Sequence, residues 1–331
     1  MKIWITGIAG FLGSHLADAL LAAGHEVEGN DSLICGSRKN VPKRVPFCYT
    51  DCRNFEPLKY FMSEFKPDVV VHCAAIASEG FSVFSPNFVT SNIAEASVST
   101  FSAAIASGAK RIVHMSSMAR YGGGIVPFTE DTPLNPVDCY GIAKVYSEQQ
   151  LKVLCETHGV RWSILNPHNV IGARQQITPY RNVCTIFLNR LKLDLPIYIY
   201  GDGLQKRCFS PIADVIPSIV RAVHGDADSE IVNIGPDNGE ITINALLRMC
   251  EDVVGKKSDV IYLPARPVTD TVKEAYCSSD KSRKLLGYEP KQSMIDCIKE
   301  MSDALEPAPF NYNFPVEIES PLMPRTWSEK L

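Results

Sequence analysis

The sequence predicts an α/β protein built on a doubly wound parallel sheet, with a smaller C-terminal α/β lobe. Three observations predict it. Apolar, β-branched runs alternate with helix-period segments through the first half of the chain. A glycine-rich turn, Gly7-Ile-Ala-Gly10-Phe11-Leu12-Gly13, joins the first run to the first helical segment. After Pro167 the rhythm loosens into short segments punctuated by Pro, Arg and Gly.

The elements follow in order. Lys2–Thr6 is an apolar run that reads as the first strand, and residues 10–23 carry apolar positions at helical spacing. Glu26–Asn30 reads as the second strand and Phe47–Tyr49 as a third. Asp68–His72 (DVVVH) is the short continuous run of a strand buried on both faces. Residues 87–107 read as one long helix, Arg111–Met115 as a strand, residues 137–158 as a helix and Arg161–Leu165 as a strand. In the second half, helical segments are expected near Thr185–Leu191, Pro211–Val223, Ile243–Val254 and Met294–Ala304. The proline-rich stretch 306–324 should wrap the surface. The division expected is a first domain over residues 1–168 and a substrate lobe over 169–331, some of whose segments return to the sheet.

Composition narrows the function. The chain has 331 residues, 45% hydrophobic and 21% charged, which is ample for a buried core and unlike a disordered chain. A net charge of −4 offers no basic excess to grip nucleic acid. No charge-free apolar run is long enough to span a bilayer, and His15 and Asp18 interrupt the apolar start, so neither a membrane segment nor a signal peptide is expected. The eleven cysteines are scattered without a C-x-x-C pair. Reduced thiols in the cytoplasm are expected rather than disulfides, and no metal site.

The glycine turn carries the first chemistry. A tight turn needs residues without Cβ, and a pyrophosphate needs closely approaching backbone N–H groups at a positive helix end. Gly7, Gly10 and Gly13 answer both needs, with Phe11 and Leu12 between them. Asp31, at the end of the second strand, can accept hydrogen bonds from a ribose and repels a 2′-phosphate. This favours NAD over NADP; Arg38 and Lys39 just behind would weaken the preference.

A Ser–Tyr–Lys set carries the second. The strand Arg111–Met115 ends in Ser116-Ser117, and a later helix opens with Tyr140-Gly-Ile-Ala-Lys144. Residues four apart share a helix face, so Tyr140 and Lys144 point the same way. An ammonium beside the phenol favours the phenolate, and a serine hydroxyl can orient a substrate alcohol. Together they read as a base that deprotonates a carbinol while hydride leaves for a nicotinamide.

These residues, with Asp51, the run His72-Cys-Ala-Ala75, Ser116-Ser117-x-x-x-Tyr121-Gly122 and Asn169-Val-Ile-Gly172, resemble the extended short-chain dehydrogenase/reductases. More narrowly, the sequence is similar to the NAD-dependent sugar-nucleotide epimerases and dehydratases, from residue 1 to about 290. The resemblance implies a Rossmann-like fold and assigns roles. Asp51 and Cys52 would sit by the adenine, Ala74, Ala75 and Asn92 would line the cofactor, and Ser116, Pro167 and His168 would approach the nicotinamide. Ser117, Tyr140 and Lys144 would be catalytic. Met118, Asn169, Arg207 and Arg266 would meet the nucleotide-sugar, the arginines at its diphosphate. It also implies a homodimer, through a four-helix bundle of the two long helices.

Several positions depart from that pattern. Arg120 stands where an apolar residue usually precedes the Tyr-Gly; it would reach substrate or point to solvent. Asn166, Ile171 and Cys208 also differ, all on the sugar side. Met118-Ala119 replaces the Asp-Glu typical of sugar-nucleotide dehydratases, and neither residue can move a proton; Cys73 and Glu79 could lie near the sugar. The leading expectation is therefore C4 epimerisation of a UDP-hexose with tightly held NAD. A dehydratase or reductase is the alternative, and a non-catalytic cofactor-binding scaffold the third. The family's gate residue would fall near Ala275 or Tyr276, in a stretch longer than the resemblance implies.

Overall fold

The computed structural model describes residues 1–268, 270 and 272–331. Seven parallel strands form the central sheet. They are β1 (Lys2–Thr6), β2 (Glu26–Asp31), β3 (Phe47–Tyr49), β4 (Val69–His72), β5 (Arg111–Met115), β6 (Arg161–Pro167) and the strand Glu230–Ile234. Their order across the sheet is Glu230–Ile234, β6, β5, β4, β1, β2, β3. The chain order reverses between β1 and β4, so the crevice for a ligand opens beyond the carboxyl ends of those two strands.

Alternation along the strands builds two cores. Ile3, Ile5, Val69 and Val71 face helix α1 (Phe11–Ala22) and the helix Ile212–His224, packing on Leu16, Leu20, Val215 and Ile219. Trp4, Val70, Ile112 and Ile164 face the other way. They pack on α2 (Phe55–Phe65), α5 (Ala96–Ala106) and α6 (Cys139–His158) through Leu58, Met62, Phe101 and Leu151. At about 1.5–3 kcal/mol per buried large aliphatic side chain, these two layers supply most of the driving force for the fold.

The first five expected strands stand within a residue of their expected bounds, and β6 runs two residues further, to Pro167. Among the elements not expected, two bear on the central sheet: a helix and a seventh strand. Helix α2 carries its signal in Leu58, Met62 and Phe65, which are buried at helical spacing. The strand Glu230–Ile234 pairs in parallel with β6 from Glu230↔Ser163 to Ile234↔Pro167. That strand and the helix Ile212–His224 come from the second half of the chain but pack on the sheet.

The long helix expected over 87–107 is instead three joined pieces. Helix α4 (Pro86–Thr90) starts on a proline at its first turn, a π-helical turn spans Ser91–Glu95, and α5 follows. Such π turns are frequent at functional sites, and this one carries Asn92. On the far side of this layer α6 exposes Ile142, Tyr146 and Val153.

The second half builds a lobe over the carboxyl edge. Its core holds Phe187, Leu188, Leu191, Ile199, Leu246, Cys250, Ile298 and Met301. Three small sheets brace it, one of which sets Lys206–Arg207 between Ile241–Thr242 and Glu274–Ala275. The tail returns over the carboxyl edge: Trp327 packs on Phe81, Phe84 and Tyr180 and donates its indole N–H to the Pro179 carbonyl at 2.9 Å. Among the described residues, no helix is long and apolar enough to cross a membrane.

Candidate active site

A cavity of about 510 Å³ opens between the carboxyl edge and the lobe, a size suited to a small-molecule site. The glycine turn forms one end. Gly7 takes φ +70° and donates its N–H to the Asn30 carbonyl at 2.8 Å, closing the turn onto β2. A Cβ on Gly13 would stand 2.3 Å from the Gly7 carbonyl oxygen, so only glycine lets α1 approach the turn this closely. Gly10 caps α1 with no side-chain partner, which leaves the first-turn N–H groups for an anion in the cavity.

Asp31 sits at the edge of this cradle. Its carboxylate accepts the Ala9 N–H at 3.0 Å and the Leu33 N–H at 2.7 Å, and burial raises it above the usual carboxylate range. Gly36 has no side chain to cover it; a Cβ there would lie 2.8–2.9 Å from both carboxylate oxygens. Arg38 lies over the Phe47 ring at 5.1 Å and neither it nor Lys39 lines the cavity. Asp51 lines the cavity but is already held by Arg53, whose Nη2 donates at 2.7 Å; this lowers its carboxyl below the usual range against the opposing cost of burial. Cys52, Ala74, Ala75 and Asn92 line the same end.

The Ser–Tyr–Lys set forms the middle. Asp138 caps α6 by accepting the Gly141 N–H at 2.7 Å, which fixes Tyr140 in the first turn. Ser117 starts a 3-10 turn and accepts the Ala119 N–H at 3.1 Å. Ser116, Ser117, Tyr140, Lys144, Pro167 and Asn169 all line the cavity. Lys144 donates to the Met115 carbonyl at 2.7 Å, with its Nζ 5.9 Å from the Tyr140 ring centre. Burial lowers the Lys144 ammonium to about 8. The lowered phenol expected from its proximity is not what the protein presents. Burial raises the Tyr140 phenol, the Ser117 hydroxyl opposes that, and Glu79 adds to it.

Arg207 and Arg266 line the opposite end with Arg181, Arg190, Tyr198 and Tyr200. Arg207 donates to the Lys206, Val272 and Lys273 carbonyls at 2.8, 2.8 and 3.2 Å. Arg266 pairs with Asp270 at 2.9 Å and lies over the Tyr200 ring at 5.0 Å.

Several residues stand elsewhere than expected. Met118 does not line the cavity; it packs outward on the small cluster of Tyr121, Phe128, Ala275 and Cys277. Ala275 and Tyr276 are also off the cavity wall. His168 turns away, with Nε2 3.1 Å from the Pro236 carbonyl, and burial lowers it to about 4. Arg120 reaches neither substrate space nor solvent. It is 4% exposed, 3.1 Å from Glu148, and lies over the Tyr121 ring at 5.2 Å. Glu148 also accepts the Ser116 hydroxyl.

Sequence reading did not single out Arg181, which lines the cavity from the loop before the helix Val183–Lys192. Nor did it find the tail residues Phe310, Phe314, Thr326 and Leu331 on the cavity wall. No local pattern marks them, because only the return of the tail brings them there.

Comparison with known proteins agrees with this geometry. Residues 3–235 match the family described as the NAD dependent epimerase/dehydratase family. A UDP-glucose 4-epimerase of Mycolicibacterium smegmatis is 30% identical over 309 residues, covering 90% of this chain and 96% of that protein. The crystal structure of a Thermotoga maritima UDP-glucose 4-epimerase with UDP-glucose superposes with a TM-score of 0.87 at 29% identity, covering 92% of this chain and 98% of that one. A Bacillus cereus UDP-glucuronic acid 4-epimerase, in complex with UDP-glucuronic acid and NAD, gives 0.83 at 27% identity, with the same coverage. The chain belongs to the NAD-dependent epimerase/dehydratase family.

Proposed function

We propose that the protein is an NAD-dependent 4-epimerase of a nucleotide-sugar, with a UDP-hexose as substrate. One observation carries the reading: a single cavity joins the glycine cradle and Asp31 to Ser117, Tyr140 and Lys144 and then to Arg207 and Arg266. The cradle fits a dinucleotide. Its uncapped first-turn N–H groups suit a pyrophosphate, and the open face of Asp31 suits a ribose diol. Bound there, NAD would supply hydride acceptance and return at the sugar carbon.

The residues divide the remaining work. Tyr140 removes the C4 hydroxyl proton and later gives it back, while Ser117 orients that oxygen and opposes the upward shift that burial gives the phenol. Lys144, one turn further along the same helix, supplies positive charge near the tyrosine. Arg207 and Arg266 neutralise the sugar's diphosphate, exchanging some of their bonds to carbonyls and Asp270 for phosphate oxygens. Met118-Ala119 offers no acid–base pair, which weighs against a simple dehydratase. An intact Ser–Tyr–Lys set weighs against a scaffold.

Assembly follows the same reading. The exposed Ile142, Tyr146 and Val153 of α6 form an apolar stripe suited to a second copy of the chain. Light scattering after gel filtration should give a dimer, and Tyr146→Glu a monomer.

Proton NMR with UDP-glucose, UDP-galactose, their N-acetyl forms and the corresponding uronic acids, without added cofactor, tests the activity. A second anomeric signal, reached at one fixed ratio from either epimer, is expected. A deoxy or unsaturated sugar signal would replace the epimerase reading with a dehydratase. Tyr140→Phe should lower kcat by about 10²–10⁴; full activity in that variant would overturn the assignment.

A further inference from the structure

The cavity holds one carboxyl group that C4 epimerisation does not use. Glu79 opens a short helix, Glu79–Ser82, that packs against the helix bearing Tyr140; Phe81 and Tyr140 share one apolar cluster. Its side chain is exposed yet lines the cavity beside Ser117, Tyr140 and Arg181. Among the described residues no hydrogen bond or ion pair is formed by its carboxylate, although Arg181, Arg207 and Arg266 line the same cavity and oppose its upward shift. Its exposure is to the cavity, whose walls desolvate the carboxyl group and raise it above the usual range, with Asp138 adding to the effect.

We propose that Glu79 is a second proton-transfer group of the site, acting on the carbon–hydrogen bonds that flank a C4 ketone of a nucleotide-sugar. The proposal rests on the 4-epimerase reading, because oxidation at C4 creates the ketone. Hydrogens on the neighbouring ring carbons, C3 and C5, then become acidic. The Glu79 carboxylate takes one of these protons. The C–H electron pair forms the C=C bond, and the carbonyl pair moves onto O4, which accepts a hydrogen bond from the Tyr140 hydroxyl. Return of a proton from Glu79 to the same carbon regenerates the ketone. No oxidant or reductant is consumed. A carboxyl group raised above its usual range can both take a proton from carbon and give it back. It would also supply, from a different element, the proton chemistry missing at Met118-Ala119.

Solvent deuterium separates this step from epimerisation. Hydride transfer at C4 returns the same hydrogen to carbon, and Tyr140 exchanges only an oxygen-bound proton. Carbon-bound deuterium therefore reports enolisation alone. Protein incubated with UDP-glucose or UDP-glucuronic acid in D₂O should yield nucleotide-sugar with deuterium at C3 or C5, read by mass and NMR after recovery in H₂O. In Glu79→Gln the ratio of exchange to C4 epimerisation should fall by about 10², and Glu79→Asp should restore part of it. Epimerisation without carbon-bound deuterium in the parent protein would overturn the proposal. So would an unchanged ratio in Glu79→Gln, or an equal loss of both reactions in a variant with normal circular dichroism. Absence of both an epimer and a reduced-nicotinamide absorbance with these substrates would instead refute the 4-epimerase reading, and the role of Glu79 would fall with it.

Discussion

Arg120 and Glu148 form a charged pair almost wholly inside the protein, with side chains 4% and 1% exposed and Nη1 and Oε2 3.1 Å apart. The contact is coulombic; neither atom completes a hydrogen bond along it. At an effective dielectric of about 20, two unit charges at that distance attract by roughly 5 kcal/mol, and desolvation offsets most of this. Deleting one partner is a different matter, since it strands the other charge. Arg120→Met should therefore cost about 3–5 kcal/mol, because Glu148 keeps only the Ser116 hydroxyl. The double variant Arg120→Met/Glu148→Leu removes both charges and leaves chiefly the serine unpaired, so it should lie within about 1–2 kcal/mol of the parent. Urea unfolding of the four proteins at pH 7 gives the coupling energy as a double-mutant cycle. The single variant should also regain ground on acidification, as Glu148 becomes neutral. A loss below about 1 kcal/mol in Arg120→Met, or additive losses in the double variant, would refute the reasoning. The pair also ties the serine-bearing turn to the helix of Tyr140 and Lys144, one turn from Lys144.

Three other outcomes follow from the same structure. Gly13→Ala places a Cβ against the Gly7 carbonyl and should open the turn, so the purified variant should retain less bound nicotinamide nucleotide, measured after acid release. Lys144 is lowered to about 8 in the fold, so between pH 8 and about 10.5 the unfolded chain binds its proton and the folded one does not. Stability relative to Lys144→Met should thus be lowest below pH 8 and rise by up to about 3 kcal/mol as pH climbs to 10.5. His72, hydrogen-bonded to Thr6 at 2.7 Å and Ser97 at 3.0 Å, is lowered by burial to about 3. Below about pH 6.5 only the unfolded chain gains this proton, so the urea midpoint should fall progressively toward pH 3, while the His72 ring signals in NMR stay unshifted at pH 5.

The local parts of this protein were legible in its sequence. Strand alternation, the glycine turn and the four-residue step from Tyr140 to Lys144 are short-range facts, set by sterics, periodicity and helix geometry. They sufficed for six of the seven sheet strands and for the family. Departures from the family pattern were visible as well, but not their meaning. Arg120 could not be assigned a partner because Glu148 lies 28 positions away on another element, and burial rather than identity makes the pair matter. Met118 could not be turned away from the cavity until Phe128 and Cys277 arrived beside it. The direction of the Tyr140 shift also reversed, since desolvation depends on everything packed around the phenol, whereas spacing supplies only its nearest charge. Likewise Arg181 and the tail reach the cavity only through the docking of the lobe and the return of the chain. Sequence determined which groups are present and how neighbours along the chain are spaced; the tertiary structure decided which are buried, paired or left free, because dielectric and contact are properties of the packed whole.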